Sequence, residues 1–110
     1  MHRWLEALRH DLVKRAVWPA RDLRDAGGRD PEPLRRGLLH LSDAEGAPAT
    51  AAELFAHMRT GSPCPPAACE AFAAALRHAI ASLDRPWPAP LYAVLALEDA
   101  FADLARSLEK

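Results

Sequence analysis

Only six of the 110 residues are β-branched: Val13, Val17, Thr50, Thr60, Ile80 and Val94. Strands need stiff or aromatic side chains to cover a pleated face, so this scarcity argues against a sheet. Cysteine is almost missing too. Cys64 and Cys69 are too few for a disulfide framework, and their spacing is neither a CxxC redox motif nor accompanied by a second pair at zinc-finger spacing. No apolar run approaches the roughly 20 residues needed to span a bilayer. The N-terminus is a charged amphipathic stretch rather than a secretory signal. A cytoplasmic protein with no membrane span is the resulting expectation. The formal net charge of −1 also removes the polycation's general attraction for nucleic acid or anionic lipid.

What fills the chain is alanine, at 24 positions, and leucine, at sixteen. Both lose little when fixed in a helix. The composition therefore predicts an all-α protein, a compact bundle of four to five helices in a single domain over residues 1–110. Half of the residues are apolar, but nearly half of those are Ala, which buries little area. The Leu, Phe, Trp, Tyr, Ile and Val side chains each contribute roughly 1.5–3 kcal/mol when fully buried. That suffices for a small core with little surplus, and a second copy of the chain would be a natural supplement. Twelve Arg against two Lys, amid so much Ala, suggests a GC-rich bacterial genome.

The first helix is expected from His2 to about Ala26. Met1, Leu5, Leu8, Leu12 and Ala16 recur at spacings of three and four, and the stripe continues through Pro19, Leu23 and Ala26. Pro19 should kink the helix or divide it into two abutting pieces. Gly27-Gly28 ends it, and Asp30-Pro31 opens the next, which carries Leu34, Leu38 and Leu41 and runs to about residue 45. Gly37 weakens that helix by about 1 kcal/mol relative to Ala, leaving a short strand at Gly37–Leu41 as the alternative. Thr50 and Glu53 form a capping box for a helix over 51–59. Past the proline connector SPCPP, helices over 66–83 and 90–108 should pair as an antiparallel hairpin around the corner DRPWPAP. Their inward residues are Cys69, Phe72, Leu76, Ile80 and Leu83 on one and Val94, Leu97, Phe101, Leu104 and Leu108 on the other. Trp87 either plugs the helix ends at that corner or stands as an exposed anchor.

Catalytic and metal chemistry find little support. Glu6/His10, Glu53/His57 and Asp99/Asp103 are i,i+4 pairs that could each offer two ligands, as di-metal bundles do. On a helical wheel they point away from the apolar stripes. No serine lies in a nucleophile elbow, and Gly27-Gly28 has neither the preceding strand nor the following Lys of a phosphate loop. Cys69 reads as a core thiol and Cys64 as a connector residue, with a reversible disulfide as the alternative. The expectation is a non-enzymatic chain with no cofactor and no metal.

The N-terminal helix offers the most. Val13 and Val17 form a second apolar strip, Trp18 lies to another side, and Arg3, His10, Lys14 and Arg21 share a basic flank. Aromatic and arginine side chains are the usual anchors of protein interfaces. The chain is thus expected to be a protein-interaction module, an accessory, assembly or regulatory subunit. Its partner would be another protein or a second copy, bound through Arg3, Val13, Lys14, Val17, Trp18 and Arg21. One alternative is a small nucleic-acid-associated regulator using Arg3, Lys14, Arg21, Arg35 and Arg36, although Glu6, Asp11, Asp22 and Asp25 are interleaved with the cations. Another is a ligand- or metal-binding bundle. The charge is also uneven: residues 1–40 hold nine Arg/Lys against six Asp/Glu, whereas residues 41–110 hold five against nine.

Overall fold

The computed structural model describes residues 3–41 and 66–109. All regular structure among them is helical, in the order α1 (Arg3–Leu12), a π-helical turn (Val13–Val17), α2 (Trp18–Asp25), α3 (Glu32–Leu41), α4 (Pro66–Ser82) and α5 (Ala89–Glu109). The protein is an all-α bundle. Its radius of gyration is 13.5 Å, close to the roughly 13 Å of a compact chain of this size. The capping-box helix over 51–59, the SPCPP connector with Cys64 and the stretch beyond Leu41 lie outside the described residues. The strand alternative at Gly37–Leu41 does not occur; the segment is the second half of α3.

The first helix passes through Pro19 without stopping, and its irregularity falls just upstream. Proline has no N–H and its ring crowds the carbonyl four residues back, that of Arg15. The backbone answers with a wider turn in which the Trp18 N–H bonds to the Val13 carbonyl. One extra residue in a turn rotates everything beyond it by roughly 100°. This corrects the expected stripe. Instead of Ala16, Pro19, Leu23 and Ala26, the buried set is Ala16, Val17, Ala20 and Leu23, while Pro19 is half-buried and Ala26 exposed.

Gly27 and Gly28 stop the helix as expected, both with positive φ (72° and 77°). The Gly28 N–H donates to the Leu23 carbonyl (2.7 Å) and the Gly27 N–H to that of Arg24 (3.1 Å). This crossed pair satisfies carbonyls that the helix end would leave open. Two residues on, Asp30 Oδ1 accepts the Glu32 N–H at 3.1 Å and starts α3, as its place before Pro31 implies.

The core is a single cluster drawn from every described helix. Leu5, Leu8 and Leu12 of α1 meet Leu34, Leu38 and Leu41 of α3, Phe72 and Leu76 of α4, and Val94, Leu97 and Leu104 of α5. Phe72 and Phe101 pack edge to face with ring centroids 6.2 Å apart, a favoured aromatic geometry. The α4–α5 hairpin is the most extensive helix pair. Its inner face is thinner than the apolar residues alone suggest: Ala73, Ala79 and Ala93 are buried, whereas Ile80 only borders the core. Small residues there let two helix backbones approach closely.

Two glycines meet neighbours tightly. Gly37 lies against the π turn, and a Cβ at that position would overlap the Arg15 carbonyl oxygen and stand 2.6 Å from its carbon. A Cβ at Gly28 would stand 2.9 Å from Trp87 Cβ. Trp87, half-buried against the core, therefore plugs the corner between the end of α2 and the start of α5.

Candidate functional site

The π turn decides which residues of the N-terminal helix remain outside. Val17, placed by the sequence on a second apolar strip, is 3% exposed and belongs to the core; the extra residue of the turn swings it inward. Val13 is half-buried, beside an open recess that Glu6, Arg9 and His10 also line. Arg3 opens α1, and its side chain lies outside the described set. Trp18, by contrast, is 53% exposed, a large fraction for an indole inside a helix. Lys14, one turn before it, and Arg21, one turn after it, are both exposed and make no ion pair among the described residues.

The surface cations divide into two groups. Arg15 faces Asp11 (3.7 Å), Arg24 faces Asp25 (3.3 Å), and Arg36 faces Glu32 (3.6 Å). Arg35 lies 3.8 Å from Glu32 and 3.6 Å from Asp84, linking α3 to the α4–α5 corner. Arg106 pairs with Asp103. Exposed pairs of this kind contribute about 0–1 kcal/mol each, but they occupy their charges. Of the Arg and Lys residues singled out in the sequence, Lys14 and Arg21 are the described ones left without an ion pair. Asp22, also exposed and without an ion pair, stands beside Arg21.

A second exposed strip lies on α5, where sequence reasoning saw only a buried seam. Tyr92 is 65% exposed and Leu95 42%. Ala96 and Asp99 continue the same helical face, and among the described residues neither Glu98 nor Asp99 makes an ion pair. The signal was available: Tyr92, Leu95 and Asp99 recur at spacings of three and four, offset from Val94, Leu97 and Phe101. Trp18 and Tyr92 are thus the two large aromatic side chains that stand most fully in solvent among the described residues.

Ligand chemistry finds less to build on. His10, His78, Asp99 and Asp103 are exposed. Among the described residues no group of three or more His, Cys, Asp or Glu could hold a metal ion. A recess of about 250 Å³ lies between α2 and the start of α3, floored by Pro19, Leu23, Ala26 and Pro33. It falls below the usual range for small-molecule sites, roughly 300–1,000 Å³, and the Asp30 carboxylate at its edge already caps α3. Among the described residues no helix is long and apolar enough to cross a membrane. Fold and surface together define an all-α bundle with a basic-aromatic strip on its first helix and an acidic-aromatic strip on its last. The chain matches no known protein family, and no curated protein or solved structure is significantly similar to it.

Proposed function

We propose that this chain is a non-enzymatic protein-interaction module, an accessory, assembly or regulatory subunit, which binds its partner through the N-terminal helix around Trp18. The observation that carries the reading is a half-exposed indole held on a helix between two cations without ion pairs, Lys14 and Arg21. Trp and Arg are the side chains most often responsible for binding energy at interfaces. Trp18 stands outside the core cluster, with about half of its surface left to solvent. Val13, half-buried on the preceding turn, would form the edge of the contact; Val17 lies within the core and takes no part.

The reading that gives the basic flank to nucleic acid is weaker, because Arg35 and Arg36 are already paired with Glu32 and Asp84. Of the described side chains in that set, Lys14 and Arg21 would remain for phosphates, and a salt-sensitive contact needs several. A photo-cross-linking side chain in place of Trp18 tests the proposal. A discrete protein adduct should form from position 18, should be absent when the probe replaces the exposed Arg77 on α4, and should be lost with Lys14→Ala. Identical adducts from both positions, or none, would refute it.

A further inference from the structure

Two strips on one protein, one basic and aromatic, the other acidic and aromatic, raise the question of whether each is the other's partner. The spacing answers it. Around Trp18 the order along the helix is Lys14 four residues before, Arg21 three after and Asp22 four after. Around Leu95 it is Tyr92 three before and Asp99 four after. At 1.5 Å per residue of α-helix, offsets of three and four residues are about 4.5 and 6 Å, that of Lys14 being shorter because it lies in the wider π turn. Laid antiparallel with Trp18 over Leu95, the two helices bring Lys14 opposite Asp99 and Arg21 opposite Tyr92. Every exposed group then has a match. Lys14 pairs with Asp99, the Arg21 guanidinium covers the Tyr92 ring, and the Tyr92 hydroxyl can donate to the Asp22 carboxylate.

We infer that the occupant of the Trp18 strip is the Tyr92–Asp99 strip of a second copy of this chain. The inference rests on the reading of the Trp18 face as a binding surface and adds the identity of what it binds. A two-fold axis that applies the contact twice, residue i meeting residue j and j meeting i, requires both strips to lie on one side of the protomer; a head-to-tail contact would give longer oligomers instead of a dimer. Two antiparallel helix crossings result, with two ion pairs and two cation–π contacts. The surplus of basic charge in residues 1–40 and of acidic charge in residues 41–110 favours the same pairing. Three large, partly exposed side chains per protomer make a small interface, so dissociation should occur at about 10 μM rather than at nanomolar concentration.

Sedimentation equilibrium of the full chain between about 1 and 300 μM reads this directly. The wild type should pass from monomer to dimer. Lys14→Glu and Asp99→Lys, each at an exposed position, should leave the helical circular dichroism and the Tm of the monomer, read at about 1 μM, unchanged and weaken the dimer roughly tenfold or more, because each reversal spoils two pairs. Mixing the two variants should restore association, since in the heterodimer both ion pairs regain opposite signs. A wild type that remains monomeric throughout overturns the inference, as does a dimer indifferent to K14E, or single variants that the mixture does not rescue. If the chain is monomeric yet position 18 still cross-links to a different protein, only the second copy is refuted. If position 18 cross-links to nothing, the interaction reading falls with it.

Discussion

Replacing Gly37 with alanine separates two physical accounts of the same residue. Helix propensity alone makes Gly37→Ala stabilising by about 1 kcal/mol, because α3 regains a better helix former. Packing reverses the sign. The new Cβ would overlap the Arg15 carbonyl oxygen and lie 2.6 Å from its carbon, where carbon atoms pack at about 3.5–4.0 Å. Relief requires α3 to withdraw by about 1 Å from the π turn, taking the fully buried Leu34, Leu38 and Leu41 with it. Neither side can yield cheaply, since the obstacle is helix backbone and not the end of a flexible side chain. Overpacking of this kind costs about 1–3 kcal/mol and sometimes more. Set against the propensity gain of about 1 kcal/mol, net destabilisation of about 1–2 kcal/mol is expected, because the obstacle is backbone and the cost lies toward the upper end of that range. Gly27→Ala is the matched control, with open space around its Cβ and φ of +72°; it should cost about 1–2 kcal/mol through backbone strain alone. Urea unfolding of the three proteins decides between the accounts. The Gly37 variant should lose on the order of 1 M in midpoint with its slope unchanged. A variant as stable as the wild type would mean that α3 does not sit on the π turn at this distance.

Asp30→Ala removes the acceptor that holds the Glu32 N–H, and a loss of about 1 kcal/mol is expected in the same unfolding assay. Phe72→Ala empties a fully buried aromatic site and breaks the edge-to-face contact with Phe101. It should cost about 3–5 kcal/mol, and a double-mutant cycle with Phe101→Leu should return a coupling of about 0.5–1.5 kcal/mol. Arg35→Ala breaks ion pairs that are exposed to solvent, so thermal unfolding should register a change below about 1 kcal/mol. Trp18→Ala should cost about 1 kcal/mol of stability, from the covered half of the indole, while weakening sedimentation-detected self-association at least as much as the charge reversals do. A large stability loss would instead make Trp18 a core residue.

Most of the helical frame was legible because its signals are local. Asp30-Pro31, Gly27-Gly28 and the seam Val94–Leu97–Phe101–Leu104 each act within a few residues of chain, and all appear in place. Trp87 required a choice between plug and anchor, which its contact with Gly28 resolves. The burial of Val17 was not legible from a 3.6-residue wheel, since the wheel assumes the regular turn that Pro19 disrupts. The Tyr92–Asp99 strip was overlooked for a different reason. It shares its helix with the most regular apolar seam in the chain, and that seam drew the reading to the inner face.

Gly37 and Pro19 are better understood as one feature than as two defects. Each is costly in a helix taken alone: proline withholds the N–H that the Arg15 carbonyl would otherwise accept, and glycine gives up backbone order. Placed against each other they offset part of that cost. The carbonyl that lacks its ordinary donor faces the one position of α3 with no side chain, where the Cα can approach it closely enough for a weak C–H···O contact. The widened turn in turn brings Val17 and Ala20 into the core and leaves Trp18 outside, between Lys14 and Arg21. The exposed Trp18 strip and the buried glycine contact are therefore consequences of the same extra residue in one helical turn. A change that restored a regular α-helix through residues 13–17 would bury or rotate Trp18, and would alter association and stability together.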